Sequence, residues 1–279
     1  MTETLCDLIK ARFAEDTKLG HDRPQEGTHA LQLKHRSRRR YSADPVTQDV
    51  LDLLFACALS APAKSDLQQV AIIQFADDKK RDTVTDLFPS MPWIKQAPVF
   101  LLFCGDGRRI RQVCDLRGTK FAHEPVDAFL NAAADAAIVM QNFIIAAEAE
   151  GLGTCPISAV REVTNEIAAI AELPEGVFPF AGLCVGHPAD DPWISVRLPM
   201  RLTVHRDRYS DQHLAAEIAD YDHRRGQVNP YRNQRDTEQF GKKDGYGWSD
   251  DKARQTSTTD RLSFVQYLRK TGQIGRAHV

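Results

Sequence analysis

The feature that most constrains the fold is an Ala-rich segment at residues 126–149, which is apolar on most faces of a helix. Such a helix is buried, either in a protein core or against another subunit. Its longest uncharged apolar run, residues 136–147, is too short to span a bilayer, which requires about 20 residues. Gly151 follows as a natural C-terminal stop. The segment therefore predicts a buried central helix, and we expect no membrane partner.

Dense apolar runs bounded by charged or Pro-containing stretches predict strands at residues 70–75 and 99–104. Further strands are predicted at residues 180–185 and 202–205. Helices and strands alternate irregularly, without the strand–helix–strand cadence of a parallel sheet. This pattern favours an α+β sandwich in which helices flank a central mixed, mainly antiparallel sheet.

Apolar residues at helical spacing predict four further helices. These helices span residues 4–19, 47–61, 162–172 and 261–269. Residues 220–260 contain many polar and few aliphatic side chains, which predicts a mobile surface excursion.

The expected domain organisation has four parts. They are an N-terminal accessory helix at residues 1–30, a core at 31–210, a C-terminal excursion and helix at 211–272, and a terminal segment at 273–279. Residues 274–279 can be back-translated into a common sequencing-adapter sequence. We therefore interpret 273–279 as a sequencing artefact.

The formal net charge of −2 over 279 residues excludes a protein that binds polyanions through its overall charge. The six cysteines are widely spaced and form no C-x-x-C motif. This spacing indicates reduced thiols rather than a disulfide framework or a zinc site. The N-terminal residues include acidic side chains and no apolar stretch of the secretory type. We expect a cytoplasmic protein without a metal site.

Local basicity is concentrated in residues 34–41, where five cations, one imidazole and one serine hydroxyl occur together. Guanidinium groups match phosphate oxygens through a planar fork of donors, and a serine hydroxyl adds a compact donor. The cluster therefore requires an anion. From these residues alone, the anion is either a surface polymer such as nucleic acid or one buried phosphate.

Four sequence blocks occur in a characteristic order. They are His35-Arg36-Ser37-Arg38-Arg39, the loop APAKSDLQ at residues 61–68, EGLGTC at residues 150–155, and FAGLCVGHP at residues 180–188. This order resembles the FMN-dependent nitroreductase family, and within it the NADPH-linked nitroreductase and flavin reductase branch. The resemblance covers residues 31–209, with a weaker echo near Trp248. It implies a nitroreductase-like sandwich that forms an intertwined homodimer, with FMN as cofactor and NADPH or NADH as co-substrate.

The same resemblance implies the site residues. His35, Arg36, Ser37 and Arg197 match positions at the FMN phosphate, and Arg39 matches a position near the pyrimidine edge of the flavin. The loop residues implied to contact FMN are Ala63, Lys64, Ser65, Gln68, Pro156, Ile157, Ser158 and Ala159. Arg232 and Arg235, which precede a Trp248-Ser249-Asp250 motif, are implied to hold the 2′-phosphate of NADPH. No catalytic side chain is implied, because flavin N5 carries the chemistry.

Some positions depart from the family pattern. Asp66 replaces a common asparagine, Ser158 and Ala159 replace glycines, and Ser195 stands where a lysine is usual. Loss of that lysine removes a cation that stabilises the anionic reduced flavin. Arg39 and Lys64 are the candidates to replace it. Arg38 and Arg40 do not match the pattern, and we expect them to be solvated or paired.

The implied function is an FMN-dependent oxidoreductase that passes hydride from NAD(P)H through flavin N5 to an electron-poor small molecule. Nitroaromatics, quinones and free flavin suit such a site, and the kinetics should be ping-pong. Two alternatives stay open at this point. One is an FMN enzyme of another reaction type, either reductive dehalogenation or flavin degradation. The other is a polyanion-binding or nucleic-acid-binding module that uses residues 36–40, whereas the first hypothesis expects no nucleic-acid partner.

Overall fold

The computed structural model describes residues 3–259 and 261–274, so most of the segment interpreted as an artefact lies outside the described residues. The chain divides into two compact units. Within the described chain, unit 1 contains residues 3–36 and 193–259, and unit 2 contains residues 37–192 and 261–274. The four-part organisation predicted above is a different partition and stays a prediction.

Eleven α-helices and four strands occur in the described residues. In chain order, the helices are α1 (Leu5–Phe13), α2 (Gly27–Lys34), α3 (Gln48–Leu59), α4 (Asp78–Thr85), α5 (Arg108–Leu116), α6 (Pro125–Ala149), α7 (Thr164–Ile170), α8 (Leu214–Val228), α9 (Thr237–Phe240), α10 (Trp248–Thr256) and α11 (Leu262–Lys270). The strands are β1 (Val70–Gln74), β2 (Val99–Asp106), β3 (Gly153–Ile157) and β4 (Val177–Gly186).

Unit 2 is built on one sheet with the strand order β1–β2–β4–β3. All three pairings among these described strands are antiparallel, with Leu101 opposite Leu183 and Cys155 opposite Cys184. Together with the flanking helices, this sheet confirms the predicted α+β class.

Strand β2 is buried along its whole length. Side chains alternate between the two faces of a strand. Accordingly, Phe100 and Leu102 join one apolar cluster, whereas Leu101 and Phe103 join another. Both faces of the sheet are therefore covered, and this explains why β2 is a continuous apolar run in the sequence.

Helix α6 covers one of these faces together with α3. Ala132, Ala136, Phe143 and Ala147 are completely buried. Among the described helices, α6 alone is long and apolar enough to cross a membrane by length and composition. Its burial against the sheet is that of a core helix, as the sequence predicted.

The other end of unit 2 is closed by α11, which was predicted as a helix at residues 261–269. Tyr267 and Leu268 pack in a cluster with Phe178 of β4. The Tyr267 hydroxyl donates a hydrogen bond of 2.9 Å to the carbonyl oxygen of Val177. These contacts dock α11 onto the sheet.

Unit 1 consists of helices and loops. Leu5 and Leu8 of α1 pack with Ala30 of α2. At the C-terminal side of the unit, the ring of Tyr221 in α8 meets the ring of Trp248 in α10 edge to face, with centroids 5.3 Å apart. Residues predicted as a mobile excursion therefore include α8, α9 and α10 instead of irregular chain.

Three predicted elements differ from the structure. The helix predicted at residues 4–19 ends at Phe13, because Ala14 adopts a left-handed φ of 49°. Residues 202–205 form no strand; a 3₁₀ turn at Met200–Leu202 stands there instead. Strand β3 was expected to be a loop, yet it pairs along its full length with β4.

Candidate functional site

The basic segment that begins at Ser37 is fixed against β3 and against the loop that follows β4. The backbone N–H of Arg38 donates to the carbonyl of Thr154 at 2.9 Å, and that of Ser42 donates to His187 at 2.9 Å. Gly153 permits this approach, because a Cβ there would lie 2.7 Å from Cγ of Arg38. The backbone of the segment is therefore held beside an edge strand of the sheet.

Two of the arginines in this segment have acidic partners. Arg38 donates to Oδ1 of Asp191 at 2.8 Å and also to the carbonyl oxygen of Asp190. Nε of Arg40 lies 3.9 Å from Oδ2 of Asp190. The expectation that Arg38 and Arg40 are solvated or paired is confirmed, and this pairing lowers the positive charge that the segment offers to a polyanion.

Arg39 differs from its neighbours because its guanidinium lies over the ring of Trp93, 5.7 Å from the centroid.

Two weakly acidic side chains of unit 2, the Cys155 thiol and the Tyr41 phenol, are buried. Burial raises the pKa of the Cys155 thiol, although Arg39 opposes that shift. Burial also raises the pKa of the Tyr41 phenol, whose hydroxyl donates to the carbonyl of Arg38 at 2.6 Å. Both groups are therefore protonated at neutral pH, and neither serves as a thiolate or phenolate nucleophile.

In unit 1, the backbones of two candidate phosphate ligands, His35 and Arg197, are bonded to Arg12, a residue that the sequence analysis did not identify. Arg12 is only 5% exposed. Its guanidinium donates to the carbonyls of Leu33, at 2.7 Å, His35, and Ser195, at 3.0 Å. The backbone N–H of Arg197 donates to the carbonyl of Arg12 at 2.8 Å. Two segments that are far apart in sequence are therefore brought side by side within this unit.

The signal for Arg12 was present in the sequence but was not used. Leu5, Leu8 and Arg12 lie at positions i, i+3 and i+7 of α1, so the arginine falls on the apolar face of the helix. A cation at such a position needs buried acceptors. Here backbone carbonyls provide them.

In unit 2, the candidate FMN loop at residues 63–68 has a strained backbone. Ser65, Asp66 and Gln68 have φ values of 50°, 57° and 51°, and such left-handed conformations cost about 1–3 kcal/mol each for residues other than glycine. The side chains of Lys64, Ser65 and Gln68 are exposed, and Ala63 is half-buried. The amide of Gln68 donates to Asp66 at 2.9 Å, so Asp66 is partnered by Gln68.

The loop is held by two residues that the sequence analysis missed. The carboxylate of Asp135, which is 1% exposed, accepts the backbone N–H groups of Lys64 at 3.0 Å and Gln69 at 2.9 Å. The guanidinium of Arg109 donates to the carbonyl of Gln68 at 2.7 Å. Bonds from both sides thus compensate for the strained backbone. Asp135 was hidden in the sequence because it is the one acidic residue between Asp127 and Glu148, within the most apolar part of α6.

The remaining predicted ring contacts lie at the end of β3. Pro156 and Ser158 are exposed, and Ala159 is half-buried. The Ser158 hydroxyl accepts a hydrogen bond of 3.2 Å from Arg261. Ile157 is buried in the core, so its side chain is directed into the protein and only its backbone is available to a ligand.

A separate cleft of about 740 Å³ lies within unit 1, between α8 and α10. It is lined by Arg225, Tyr231, Arg232, Lys242, Lys243 and Trp248, among others. The guanidinium of Arg225 lies 4.4 Å from the centroid of the Tyr231 ring. Arg235 is exposed and is not part of the lining. The cleft therefore includes one of the two predicted arginines and adds Arg225, for which the sequence carried no motif.

The described residues offer no group of three or more His, Cys, Asp or Glu side chains arranged to hold a metal ion.

Comparison with known proteins gives two adjacent family matches. The sequence profile of the Nitroreductase family matches residues 33–187, and that of the Nitroreductase family, C-terminal domain, matches residues 195–274. Helix α1 lies outside both matches.

Individual relatives agree with these profiles. The chain is 40% identical over 204 residues to an FMN reductase [NAD(P)H] of Bacillus subtilis, which covers 72% of this chain and 81% of the relative. It is 32% identical over 248 residues to an oxygen-insensitive NADPH nitroreductase of Salmonella typhimurium, and the match covers 87% of this chain and 96% of the relative. The solved structure of an NADPH:FMN oxidoreductase of Vibrio harveyi in complex with NAD+ superposes with a TM-score of 0.77 at 27% identity. The superposition covers 89% of this chain and 99% of the solved one. The chain belongs to the nitroreductase family.

Proposed function

We propose that this protein is an FMN-dependent oxidoreductase that uses NAD(P)H to reduce an electron-poor small molecule. Relatives named as an FMN reductase and an NADPH nitroreductase support this activity. The observation that carries the proposal is the arrangement around Arg12. Arg12 is bonded to the backbone of His35 and to that of Arg197, so two segments that are distant in sequence and rich in candidate phosphate ligands lie together within unit 1.

The residues present fit an FMN. One phosphate requires several converging donors. In unit 1, we assign His35, Arg36 and Arg197 to this role. Ser37 and Arg39 belong to unit 2, and their roles at the phosphate and at the pyrimidine edge stay predictions from the resemblance.

Unit 2 contains the residues that the resemblance implies for the flavin ring. The loop at residues 63–68 presents exposed polar side chains on a backbone that Asp135 and Arg109 hold in place. The exposed Pro156 and Ser158 offer a second surface, with Ala159 beside them and the backbone of Ile157 between them. The Asp66 carboxylate accepts a hydrogen bond from Gln68, and the side chain of Lys64 is exposed. Lys64 therefore stays our candidate for the cation that replaces the missing lysine at the ring.

Bound FMN supplies the redox chemistry by accepting hydride at N5 and giving electrons to a second substrate. The protein supplies binding and electrostatics. The cations neutralise the phosphate, and Arg39 stabilises negative charge at the pyrimidine edge. Buried Cys155 and Tyr41 stay protonated, so they contribute no competing nucleophile. We assign no side chain as a general acid.

We propose that the cleft in unit 1 binds the phosphate-bearing part of NADPH. Arg232 lines it together with Arg225 and two lysines, and the ring of Tyr231 offers a flat apolar surface. A 2′-phosphate would receive fork-like donors there. Arg235 stays a candidate outside the lining. This arrangement favours NADPH over NADH.

We also propose a homodimer that uses α6 and α3. Val126, Leu130 and Ile138 lie at spacings of four and eight residues on α6 and are exposed, with Leu130 at 62%. Leu53 and Leu59 of α3 are exposed as well. Exposed apolar surfaces of this kind mark protein interfaces. A neighbouring apolar groove of about 600 Å³ has a lining that includes Phe55, Leu59, Val70, Ile72 and Val139.

The dimer is tested by light scattering coupled to size-exclusion chromatography. We expect the mass of two chains for the wild type and a shift toward one chain for Leu130→Glu. Leu116→Glu is the matched control, because Leu116 is an exposed leucine of α5. A monomeric wild type, or equal behaviour of the two variants, would contradict this interface.

The cofactor assignment is tested by titrating FMN-free protein with FMN. Arg197→Gln should weaken binding by about tenfold or more, since a hydrogen bond to a charged group contributes about 1.5–3 kcal/mol. Arg206→Gln is the matched control, because Arg206 is an exposed arginine of the same unit, and it should leave the affinity unchanged.

The mechanism is tested by steady-state kinetics. Initial rates should give parallel double-reciprocal lines at fixed acceptor concentrations, and converging lines would contradict a ping-pong mechanism.

A further inference from the structure

We infer that Arg12 is a positioning residue for the phosphate end of the proposed FMN site, and that α1 acts as a brace built onto the family core. This inference rests on the proposed function. It concerns a helix outside the residues that the family profiles match, which begin at residue 33.

Arg12 joins four backbone groups within unit 1. Its guanidinium reaches the carbonyls of Leu33, His35 and Ser195. Its own carbonyl accepts the backbone N–H of Arg197 at 2.8 Å. One residue therefore contacts the chain on both sides of the proposed site through side chain and backbone together.

These contacts set backbone positions. The carbonyls of Leu33 and His35 lie three residues and one residue before Arg36, and the bonds at Ser195 and Arg197 bracket residue 196. When these backbone groups shift, the attached side chains shift with them. Arg12 thus controls the separation between the His35–Arg36 segment and Arg197 without touching the ligand.

Helix α1 is itself anchored in unit 1. Arg224 of α8 donates to the carbonyl of Phe13 at 2.6 Å and to that of Ala14 at 3.3 Å. Its guanidinium also lies 3.0 Å from Glu15, which receives a second bond of 2.6 Å from Arg201. The end of α1 next to Arg12 is consequently fixed to α8, so α1 can hold Arg12 in place.

An arginine is required because of its shape. The planar guanidinium presents five N–H donors in a rigid fork, so one side chain serves several carbonyls. A lysine retains the positive charge but offers a single nitrogen. Arg12→Lys therefore removes the geometry while keeping the charge, which separates positioning from the general attraction of a cation for phosphate.

The experiment compares FMN with riboflavin, which lacks the phosphate. Supporting residues around a ligand shell typically change affinity by about 10- to 100-fold when mutated, and we expect Arg12→Lys to weaken FMN binding by about that factor. Riboflavin binding should change by less than about twofold, because the ring contacts are untouched. Lys10→Gln, on the same helix with an exposed side chain 3.5 Å from Asp16, is the control and should retain wild-type affinity for both ligands.

The outcomes separate the hypotheses. If Arg12→Lys keeps the wild-type ratio of FMN to riboflavin affinity, the inference is wrong, whether both affinities stay the same or fall together. If the wild type binds no FMN, the proposed function itself fails. If Arg197→Gln lowers the ratio but Arg12→Lys does not, the phosphate site stands and the brace does not.

A measurement on the wild type makes the test independent of variant folding. A ligand that binds only the ordered arrangement of a site stabilises the contacts that hold this arrangement. FMN should therefore slow amide hydrogen exchange in α1 as well as at residues 33–36 and 195–197. Exchange in α1 that is unchanged by FMN, while residues 195–197 become protected, would overturn the inference.

Discussion

Replacing Asp135 by asparagine tests how the proposed flavin loop is held. In the wild type, the two carboxylate oxygens accept the N–H groups of Lys64 at 3.0 Å and Gln69 at 2.9 Å. An asparagine keeps one acceptor oxygen and turns the other into an NH₂ donor. One of the two buried N–H groups then faces a donor instead of an acceptor.

The magnitude follows from these contacts. A hydrogen bond to a charged acceptor contributes about 1.5–3 kcal/mol, and a buried donor without an acceptor costs about 1–3 kcal/mol. These contributions overlap, so we expect Asp135→Asn to lower the free energy of unfolding by about 2–4 kcal/mol. The strained residues Ser65, Asp66 and Gln68 lose part of the support that offsets their left-handed backbone.

The assay is urea unfolding of FMN-free protein followed by circular dichroism, together with FMN titration of the folded variant. Asp127→Asn is the matched control, because it makes the same chemical change in the exposed first turn of α6 and should cost less than about 1 kcal/mol. If Asp135→Asn unfolds at the same urea concentration as Asp127→Asn and binds FMN like the wild type, Asp135 does not hold the loop.

Three further predictions concern other parts of the molecule. Gly153→Ala should lower the free energy of unfolding by about 1–3 kcal/mol in urea titrations, because its Cβ would lie 2.7 Å from Cγ of Arg38; an unchanged midpoint would contradict the close packing. Burial raises the pKa of Tyr267 to about 12 from an ordinary 10.0. The neutral Tyr267 phenol therefore contributes about 3 kcal/mol to the free energy of unfolding below its unfolded pKa, and this contribution is lost as the pH rises to the folded pKa. The free energy of unfolding should consequently fall less steeply above pH 10.0 in Tyr267→Phe than in the wild type. In steady-state kinetics, Arg232→Ala should raise KM for NADPH by about tenfold and leave KM for NADH nearly unchanged, whereas equal effects on the two nucleotides would argue against a 2′-phosphate contact.

Long apolar elements were predictable because burial alone identifies them. Strand β2 is buried along its whole length and α6 packs one face against the sheet, so their sequences show long apolar runs. Helix α2 escaped prediction because its eight residues mix apolar and polar side chains and bury only Ala30. A short helix of this kind depends on tertiary packing more than on its own pattern.

Strand β3 escaped prediction for a different reason. It contains Gly153 and Pro156, which are typical of turns. The strand order places β3 at an edge of the sheet, where a proline lacking an N–H donor is tolerated. Conversely, the strand predicted at residues 202–205 has no pairing partner among the described strands, and its apolar residues alone do not make a strand.

Some residues of the candidate site could be predicted from local sequence motifs, and others could not. Motif residues such as the half-buried His35 and Arg36 and the exposed Arg197 were predicted from a resemblance to a family. Arg12 and Asp135 were not, since their importance arises from backbone carbonyls and N–H groups of segments that are distant in sequence. Such contacts depend on the fold, and no local pattern reports them.

The most direct test of the whole account is the amount of FMN bound by the purified, dialysed protein and its response to NADPH. We expect about one FMN per chain, a visible flavin absorbance band, and bleaching of that band when NADPH is added without oxygen. A colourless protein that takes up no FMN on incubation, or a bound flavin that neither NADPH nor NADH reduces, would contradict the account.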